Sequence, residues 1–311
     1  LLELEVYGYI LAGIVLLLLL LFHESRLEKR GGDPILPFRL LSKSSYLLTL
    51  LIGMFSGALL AGMIFIPAFS EQVLGIAQEN AGYWMTPLAL AAGLGAAMGG
   101  MLVDKKGPIV AVFLSGIISA IGFLLFPTWI EAKWHFIIAS SVAGFGMGII
   151  LGAPLNILAT EKLNTDKGTA LATLSLSRQI GMTIAPTIYA GFITRGFTEM
   201  PTIFQNDFPR ILQENIQEAN LSEAGLQEFQ NLSQQVLKNG EIISQETMSP
   251  LLDQIQDPTL LQTLLKSINQ VTTIAAQDGY GGLFYSAVVI AALIIISTLI
   301  LSPVRKRSLQ R

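Results

Sequence analysis

The chain lacks cysteine entirely and has only two histidines, His23 and His135, among its 311 residues. Disulfides, thiolate catalysis and cysteine-based metal clusters are therefore excluded, and two distant histidines argue against a metal site or a catalytic triad. Charged residues are also scarce, at 13% of the chain compared with about 25% in soluble domains. The net charge is −3, and no basic block of the kind that binds nucleic acid is present. These absences disfavour a soluble enzyme, a cofactor-dependent protein and a nucleic-acid-binding protein.

Long apolar segments dominate the sequence instead, and 52% of the residues are hydrophobic. A helix that spans a bilayer needs about 20 mostly apolar residues, because the hydrocarbon core is about 30 Å thick. Several segments of the chain meet this requirement, and they predict an all-α integral membrane protein with seven transmembrane helices. The predicted spans are residues 6–22, 46–69, 83–103, 109–126, 135–158, 168–193 and 282–301.

Lysine and arginine are distributed unevenly between the connecting segments. The first five short loops carry 5, 0, 2, 1 and 2 basic residues in chain order, and the C-terminal tail carries 4. Because basic loops remain in the cytoplasm, this alternation predicts an N-terminus outside and a C-terminus in the cytoplasm of a bacterial plasma membrane. The chain begins with Leu rather than Met, so we expect an N-terminal part with an odd number of spans to precede it.

One connection is long and acidic. Residues 194–280 contain 11 acidic and 4 basic side chains, with leucines at helical spacing and four prolines between them. We predict a few short amphipathic helices that rest on the outer face of the bundle. The predicted organisation is an extra helix with a basic linker at 1–45, five bundle helices at 46–193, the amphipathic loop at 194–280, and a last helix with a basic tail at 281–311.

Arg178 is an ionisable residue deep inside a predicted span. It lies about eleven residues into the sixth span, or about 16 Å from the cytoplasmic end, which is near the midplane. A guanidinium cannot lose its proton there, so it must meet water, carbonyl groups or a carboxylate. Two interpretations stay open, one as a cavity or coupling residue and one as a structural tie to a neighbouring helix.

The fifth predicted span carries a stripe of small residues. Gly144, Gly148 and Gly152 recur every four residues, which predicts close packing against another helix. Pro154 is expected to kink this helix, and Asn156 extends the stripe near the cytoplasmic end. Because an amide in lipid is costly, we expect Asn156 to point inward, as a substrate contact or as an interhelical hydrogen bond.

The sixth and second spans offer further candidates. Gly181 and Ala185 share a helix face, and Pro186 interrupts the backbone hydrogen bonds beside them, which indicates either helix packing or a hinge. In the second span the candidate ligand contacts are Phe55, Ser56 and Met63. Methionine and phenylalanine suit adaptable contacts to flat apolar ligands, although contacts to lipid or to the core are the alternative.

A short loop motif joins the third and fourth spans. Asp104 lies at the C-terminal end of its helix, where the helix dipole disfavours a carboxylate, and Lys105 follows it. With Gly100 before it and Gly107 after it, Asp104 is expected to meet a cation or another helix N-terminus. Such a contact would hold two groups of helices together in one conformation and release them in another.

The spacing of Gly100, Asp104 and Gly107 resembles the second copy of the loop motif of the major facilitator superfamily. The spacing of Arg178 and Pro186 is similar to the repeat-related counterpart of that superfamily's antiporter motif. The resemblance implies one extra helix followed by a six-helix half-bundle, as in the C-terminal half of a fourteen-span drug:proton antiporter. It also implies that the first and fourth helices of the half-bundle, which carry Phe55, Ser56, Met63 and Asn156, line a central cavity.

The resulting expectation is transport by alternating access. The resemblance implies proton-coupled efflux of amphiphilic drugs or metabolites, with the bilayer and a missing N-terminal half as partners. No carboxylate lies deep within a predicted span, so the proton-carrying group is expected outside this chain. The alternative is a non-transporting membrane scaffold that binds a partner through residues 194–280.

Overall fold

A computed structural model describes residues 4–30, 38–161, 163, 166–219, 221–223, 225–231 and 255–309. The described residues form helices and connecting turns without a strand, which confirms the predicted all-α class. Residues 225–231 are helical as well. The helices are α1 (Leu4–Lys29), α2 (Phe38–Leu41), α3 (Ser44–Met63), α4 (Ile66–Gln72), α5 (Gln78–Trp84), α6 (Thr86–Lys106), α7 (Pro108–Trp129), α8 (Lys133–Leu151), α9 (Ala153–Thr160), α10 (Lys167–Thr198), α11 (Met200–Ala219) and α12 (Pro258–Leu309).

Five helical segments are long and apolar enough to cross a membrane, judged by length and composition. They are Ser44–Gln72, Gln78–Lys106, Pro108–Trp129, Lys133–Thr160 and Pro258–Val304. These segments contain five of the seven predicted spans. The other two predicted spans lie in α1 and in α10. At 32 residues α10 is long enough to cross, but its middle carries Ser177, Arg178 and Gln179, which make it more polar than the five.

The bundle is built on two pairs of parallel helices. The first pair is α3 with α10, and the second is α6 with α8. Helix α7 packs between α8 and α12, and α12 also contacts both α3 and α10, so the two pairs are joined into one body. Among the described helices, α1 stands without extended packing against this body, and its leucines at positions 11, 16 and 19 are exposed.

A cluster of buried aromatic rings fixes one end of the bundle. Phe69 of α4, Phe126 of α7, Phe136 of α8 and Phe284 of α12 come from four different helices. The rings of Phe126 and Phe284 are stacked with centroids 4.3 Å apart, and Phe69 meets both of them edge to face. Each such pair contributes about 0.5–1.5 kcal/mol beyond its apolar burial. We call this the hairpin end, because the helical hairpin formed by α11 and the start of α12, described next, lies at this end of the bundle.

The described parts of residues 194–280 contain longer helices than the predicted short ones, and residues 220, 224 and 232–254 lie outside the described part of the chain. Helix α10 continues to Thr198, α11 is 20 residues long, and α12 is one helix of 52 residues, about 78 Å in length. The hairpin consists of α11 packed against residues 258–276 of α12. Its own apolar core is formed by Phe204, Phe208, Ile211, Leu260, Leu264, Ile268 and Val271.

Prolines and glycines explain why the helices run longer than predicted. Pro258 is the first residue of α12, where the missing amide costs nothing, and Pro209 is accommodated inside α11. The glycines near residue 280 allow close contact rather than a turn. A Cβ on Gly196 would lie 2.6 Å from the backbone nitrogen of Gly279, so α10 and α12 cross there with their backbones in contact. The predicted start of the last helix at residue 281 therefore falls inside α12.

Candidate functional site

The closest helix contact near Arg178 is the seam between α3 and α10. A Cβ on Gly57 would lie 1.9 Å from the carbonyl oxygen of Arg178, and a Cβ on Gly181 would lie 1.9 Å from that of Met54. Both distances are far below van der Waals contact, and both involve backbone atoms that cannot move aside. The two backbones therefore touch on either side of Arg178, and this contact requires glycine at both positions.

Hydroxyl groups bridge the same seam along its whole length. Each hydroxyl donates to a backbone carbonyl of the facing helix, which satisfies the polar group without water. The bonds are Tyr46 Oη to the Ala170 carbonyl at 3.0 Å, Ser177 Oγ to the Leu50 carbonyl at 2.6 Å, and Tyr189 Oη to the Ala58 carbonyl at 2.8 Å. With these bonds and the glycine contacts, α3 and α10 form a single rigid unit.

Arg178 is half-buried on this unit. Its Nε and Nη2 atoms are buried and have no hydrogen-bond partner among the residues that the structure describes. A buried donor without a partner costs about 1–3 kcal/mol, and more when the group is charged. The backbone of Arg178 is fixed against Gly57, so the side chain starts from a defined point on α10, and its unpartnered donors are available to an anionic or carbonyl group.

The candidate ligand contacts of α3 take part in packing within the half-bundle, and their role in a cavity stays a prediction. Phe55 and Met63 are half-buried and pack against the main apolar core. Ser56 is fully buried, and its hydroxyl donates to the Gly53 carbonyl at 2.7 Å within the same helix. In this conformation the Ser56 hydroxyl is engaged by its own backbone.

Asn156 lies beyond a break in the helix of the fifth span, and its expected inward-pointing contact stays a prediction. The helix of the fifth span is interrupted at Gly152, whose ψ of −138° ends α8, and Pro154 lies in the first turn of α9. Pro154 therefore begins a new helix instead of kinking a continuous one. Because the four-residue period of the stripe holds only along an unbroken helix, Asn156 leaves the side that faces α6, and its side chain is exposed.

The glycine stripe of α8 lies directly against α6. Cβ atoms on Gly144, Gly148 and Gly152 would lie 2.4, 2.0 and 3.0 Å from the carbonyl oxygens of Leu88, Ala92 and Ala96 in turn. The facing helix offers glycines of its own at positions 95 and 99. This second parallel pair is therefore held by backbone proximity, as the first one is.

Sequence reasoning missed the glycines of α3 and α6. Gly53 and Gly57 form a G-x-x-x-G pattern in an apolar helix, and so do Gly95 and Gly99. This pattern marks helix faces that permit close approach, so it could have identified both seams.

The α6–α7 turn consists of one residue outside the helices, Gly107. Its φ of 88° is in the left-handed region, which explains the need for glycine. Asp104 and Lys105 are exposed on the last turn of α6, and Asp104 has no ion pair with any described residue. An ion pair at this end of the bundle joins Arg39 to Asp166, which occupies the residue position before α10.

The remaining predicted switch residues differ in burial and in how closely they pack against other helices. A Cβ on Gly100 would have nothing within 4 Å, so packing within the half-bundle does not require this glycine. Gly181 and Ala185 are buried. Pro186 is half-buried inside α10, which continues without a break from Lys167 to Thr198.

The sequence was compared with known protein families, and the result fits the helical bundle described above. Residues 5–186, more than half of the chain, match the sequence profile of the Major Facilitator Superfamily. The chain belongs to this superfamily. The matched region covers α1 to α9 and the part of α10 up to Pro186, so the hairpin and α12 lie outside it.

Curated relatives in the superfamily include three proteins from Bacillus subtilis. The chain is 59% identical over 196 residues to the uncharacterized MFS-type transporter YfiU, a match that covers 63% of this chain and 38% of YfiU. It is 28% identical over 167 residues to the multidrug transporter protein MdtP, covering 52% of this chain and 30% of MdtP. It is 26% identical over 178 residues to multidrug resistance protein 3, covering 55% of this chain and 34% of that protein. The matches thus span less than half the length of each relative.

Proposed function

We propose that this chain is the C-terminal part of a secondary transporter that exports amphiphilic drugs or metabolites in exchange for protons. Membership of the superfamily supports transport by alternating access, and the multidrug names of two relatives favour amphiphilic substrates. The observation that carries the proposal within this chain is Arg178. It is a fixed, half-buried cation in a membrane helix, and two of its donor atoms lack partners among the described residues.

The rigid α3–α10 unit gives Arg178 its role in this mechanism. Because the helices touch through Gly57 and Gly181, they move together when one half of the transporter rocks against the other. The environment of the guanidinium then changes without a change of its own backbone. A carboxylate from the other half or from the substrate pairs with Arg178 in one state and leaves it in the next.

Asp104 supplies the second moving contact in this proposal. It is exposed at the C-terminus of α6, where its own helix dipole is unfavourable. A cation or a helix N-terminus of the other half binds it in one conformation and frees it in the other. The basic residues favour a cytoplasmic location for this end of the bundle and an outside location for the hairpin end.

The test is a transport assay on inverted membrane vesicles that contain the full-length protein. A proton gradient is imposed, and ethidium accumulation is followed for the parent, for Arg178→Ala and for Arg178→Lys. Arg195→Ala is the matched control, because Arg195 is on the same helix but exposed and paired with Glu199 at 3.0 Å. We expect at least a tenfold loss of rate for Arg178→Ala, partial activity for Arg178→Lys, and parental activity for the control.

Three other results would each change the proposal. Full activity of Arg178→Ala would assign Arg178 a structural role only. Ethidium accumulation at the same rate with and without a proton gradient would contradict proton coupling. Failure to move any of a broad set of solutes, with the protein intact in the membrane, would favour a scaffold that acts through the hairpin.

A further inference from the structure

A pocket of about 590 Å³ opens at the hairpin end, between α4, α7 and α12. It lies within the half-bundle, apart from the α3–α10 seam and from Arg178. The buried rings of Phe126 and Phe284 form part of its lining, together with the more exposed Trp129 and Tyr285. Drug-sized ligands occupy pockets of about 300–1,000 Å³, so this space is large enough for one.

Two carboxylates share the pocket with these rings. Glu131 follows α7, and Asp278 lies on α12, so they approach the space from different elements. Both are exposed, and within the described part of the chain neither side chain makes an ion pair or a hydrogen bond. None of the lining residues is basic. The pocket therefore combines the accessible rings of Trp129 and Tyr285 with a formal charge of −2 from its lining residues.

The walls of the pocket are held by contacts among lining residues and by contacts of lining residues with His135. The rings of Phe126 and Phe284 are stacked 4.3 Å apart, so this part of the lining is fixed. On the other side, His135 lies 4.3 Å from the Trp129 ring, centroid to centroid. Its Nδ1 accepts hydrogen bonds from the backbone amides of Glu131 and Ala132, each at 3.2 Å. A ligand would therefore find both walls already ordered, which lowers the entropic cost of binding.

We propose that this pocket binds an amphiphilic organic cation that carries aromatic groups. Aromatic faces attract cations, and partial desolvation strengthens that attraction. The carboxylates select positive charge and reject anions of the same shape. This site is separate from a pathway between transporter halves, and binding to it does not require transport.

The absence of cysteine in the chain allows a direct test by labelling. Thr128 lines the pocket, and Thr128→Cys provides the single reactive thiol of the full-length protein once any cysteine outside this chain is replaced by serine. Thr198→Cys is the matched control. Both threonines are exposed, lie near a helix C-terminus, and donate to the carbonyl four residues earlier, but Thr198 does not line the pocket. The full-length protein is placed in nanodiscs of phosphatidylglycerol, which carry no lipid ammonium group that could compete.

The rate of maleimide labelling is measured with increasing tetraphenylphosphonium. We expect saturating cation to slow labelling of Thr128→Cys at least tenfold and to leave Thr198→Cys unchanged. Tetraphenylborate, an anion of the same shape, should give no protection. Adding Glu131→Gln and Asp278→Asn to Thr128→Cys should raise the half-protecting concentration of the cation about tenfold, because two exposed charge pairs are lost. A thermal unfolding curve of this variant verifies that it folds.

Equal protection by the anion, or unchanged protection in the folded variant without the carboxylates, would overturn the proposal. The site and the transport function are separable in this design. Protection without transport would contradict the proposed function alone. Proton-driven transport with no protection of Thr128→Cys would contradict the pocket alone.

Discussion

Glycine determines how closely the helices approach at the residue scale, and it does so only where a second backbone is present. Gly57 faces the carbonyl of Arg178, whereas a Cβ on Gly93 of α6 would have nothing within 4 Å. These two positions separate the packing effect of a methyl group from its effect on helix propensity. In a helix interior, Ala is favoured over Gly by about 1 kcal/mol.

We therefore expect opposite effects from two alanine substitutions. Gly57→Ala should reduce the free energy of unfolding by about 2 kcal/mol or more, because α3 and α10 must separate to admit the methyl group. Gly93→Ala should leave the stability unchanged or raise it slightly. Thermal unfolding in detergent compares the stabilities of the two variants. Equal melting temperatures for Gly57→Ala and Gly93→Ala would contradict the close backbone contact between α3 and α10.

The sequence predicts a depth for Arg178 in the membrane, but it does not predict the surroundings of this residue. Counting residues along an apolar span places a charge near the midplane, because the rise per residue is constant. Which backbone the arginine lies against depends on the rotation of two helices that are about 120 residues apart in sequence. The G-x-x-x-G pattern of Gly53 and Gly57 is typical of a close helix contact, but such a pattern does not identify the partner helix.

At the scale of the element, Asp257 fixes the start of α12. One carboxylate oxygen accepts from the amides of Thr259 and Leu260, at 2.8 and 2.9 Å, and the other accepts from the Ser222 hydroxyl at 2.8 Å. The Leu260 amide, followed by the Ser222 hydroxyl, lowers the pKa of the Asp257 carboxyl below its ordinary value. Such a group stabilises the folded state fully above the unfolded pKa of about 3.9, and its effect is lost as pH falls through the lower folded pKa.

This cap gives a prediction about pH. Amide hydrogen exchange at residues 259–262 should be slow at neutral pH and, after correction for intrinsic rates, should accelerate as pH falls below about 4. Asp257→Ala should exchange quickly at every pH and lose this acid-induced step. Exposed Glu223, which does not cap α12, provides the control as Glu223→Ala. An acid step of unchanged size in Asp257→Ala would contradict the assignment.

A buried amide joins α11 to α12. The Asn215 side-chain nitrogen donates to Ser267 Oγ at 2.9 Å and to Gln270 Oε1 at 2.7 Å, and Asn215 is 5% exposed. Asn215→Ala leaves buried polar atoms without partners and should loosen the hairpin by about 1–3 kcal/mol. Limited proteolysis should then cleave near residues 200–219 faster, whereas Gln213→Ala, on the exposed side of α11, should not change the rate. Equal cleavage of both variants would argue against the contact.

The hairpin also shows where sequence patterns mislead at this scale. Leu260, Leu264 and Ile268 had the predicted helical spacing, and they pack in the core of the hairpin. The boundary after them was not predictable, because glycine near residue 280 is equally compatible with a turn and with a close helix crossing. Only the position of Gly196 on α10 determines that α12 passes straight through.

At the scale of the whole molecule, an exposed side chain of α12 can contact either water or lipid, depending on its position along the helix. Thr259 near its start and Val289 farther along are both exposed. Because α12 is about 78 Å long and the hydrocarbon core is about 30 Å thick, both cannot lie in lipid when residues 282–301 span. Thr259 should meet water and Val289 should meet acyl chains.

Single cysteines at these positions test that assignment. A membrane-impermeant maleimide should label Thr259→Cys in nanodiscs rapidly, and Val289→Cys should react at least tenfold more slowly until detergent is added. Both substitutions are at exposed positions, so neither changes the packing of the core. Rapid labelling of Val289→Cys in nanodiscs would place this part of α12 in water and contradict the span.

Because α12 is one unbroken helix, a tilt of the half-bundle moves its N-terminal end sideways. Its first 21 residues, 258–278, precede Gly279 at the close crossing with α10 and extend about 32 Å from it, and α11 packs against them along most of that length. A tilt of the half-bundle by about 10° would therefore carry the start of α12 sideways by about 6 Å, at the rise per residue of a helix. The sideways displacement is smallest near the crossing with α10 and largest near Asp257. A spectroscopic probe at that tip would report the orientation of the half-bundle without entering the membrane.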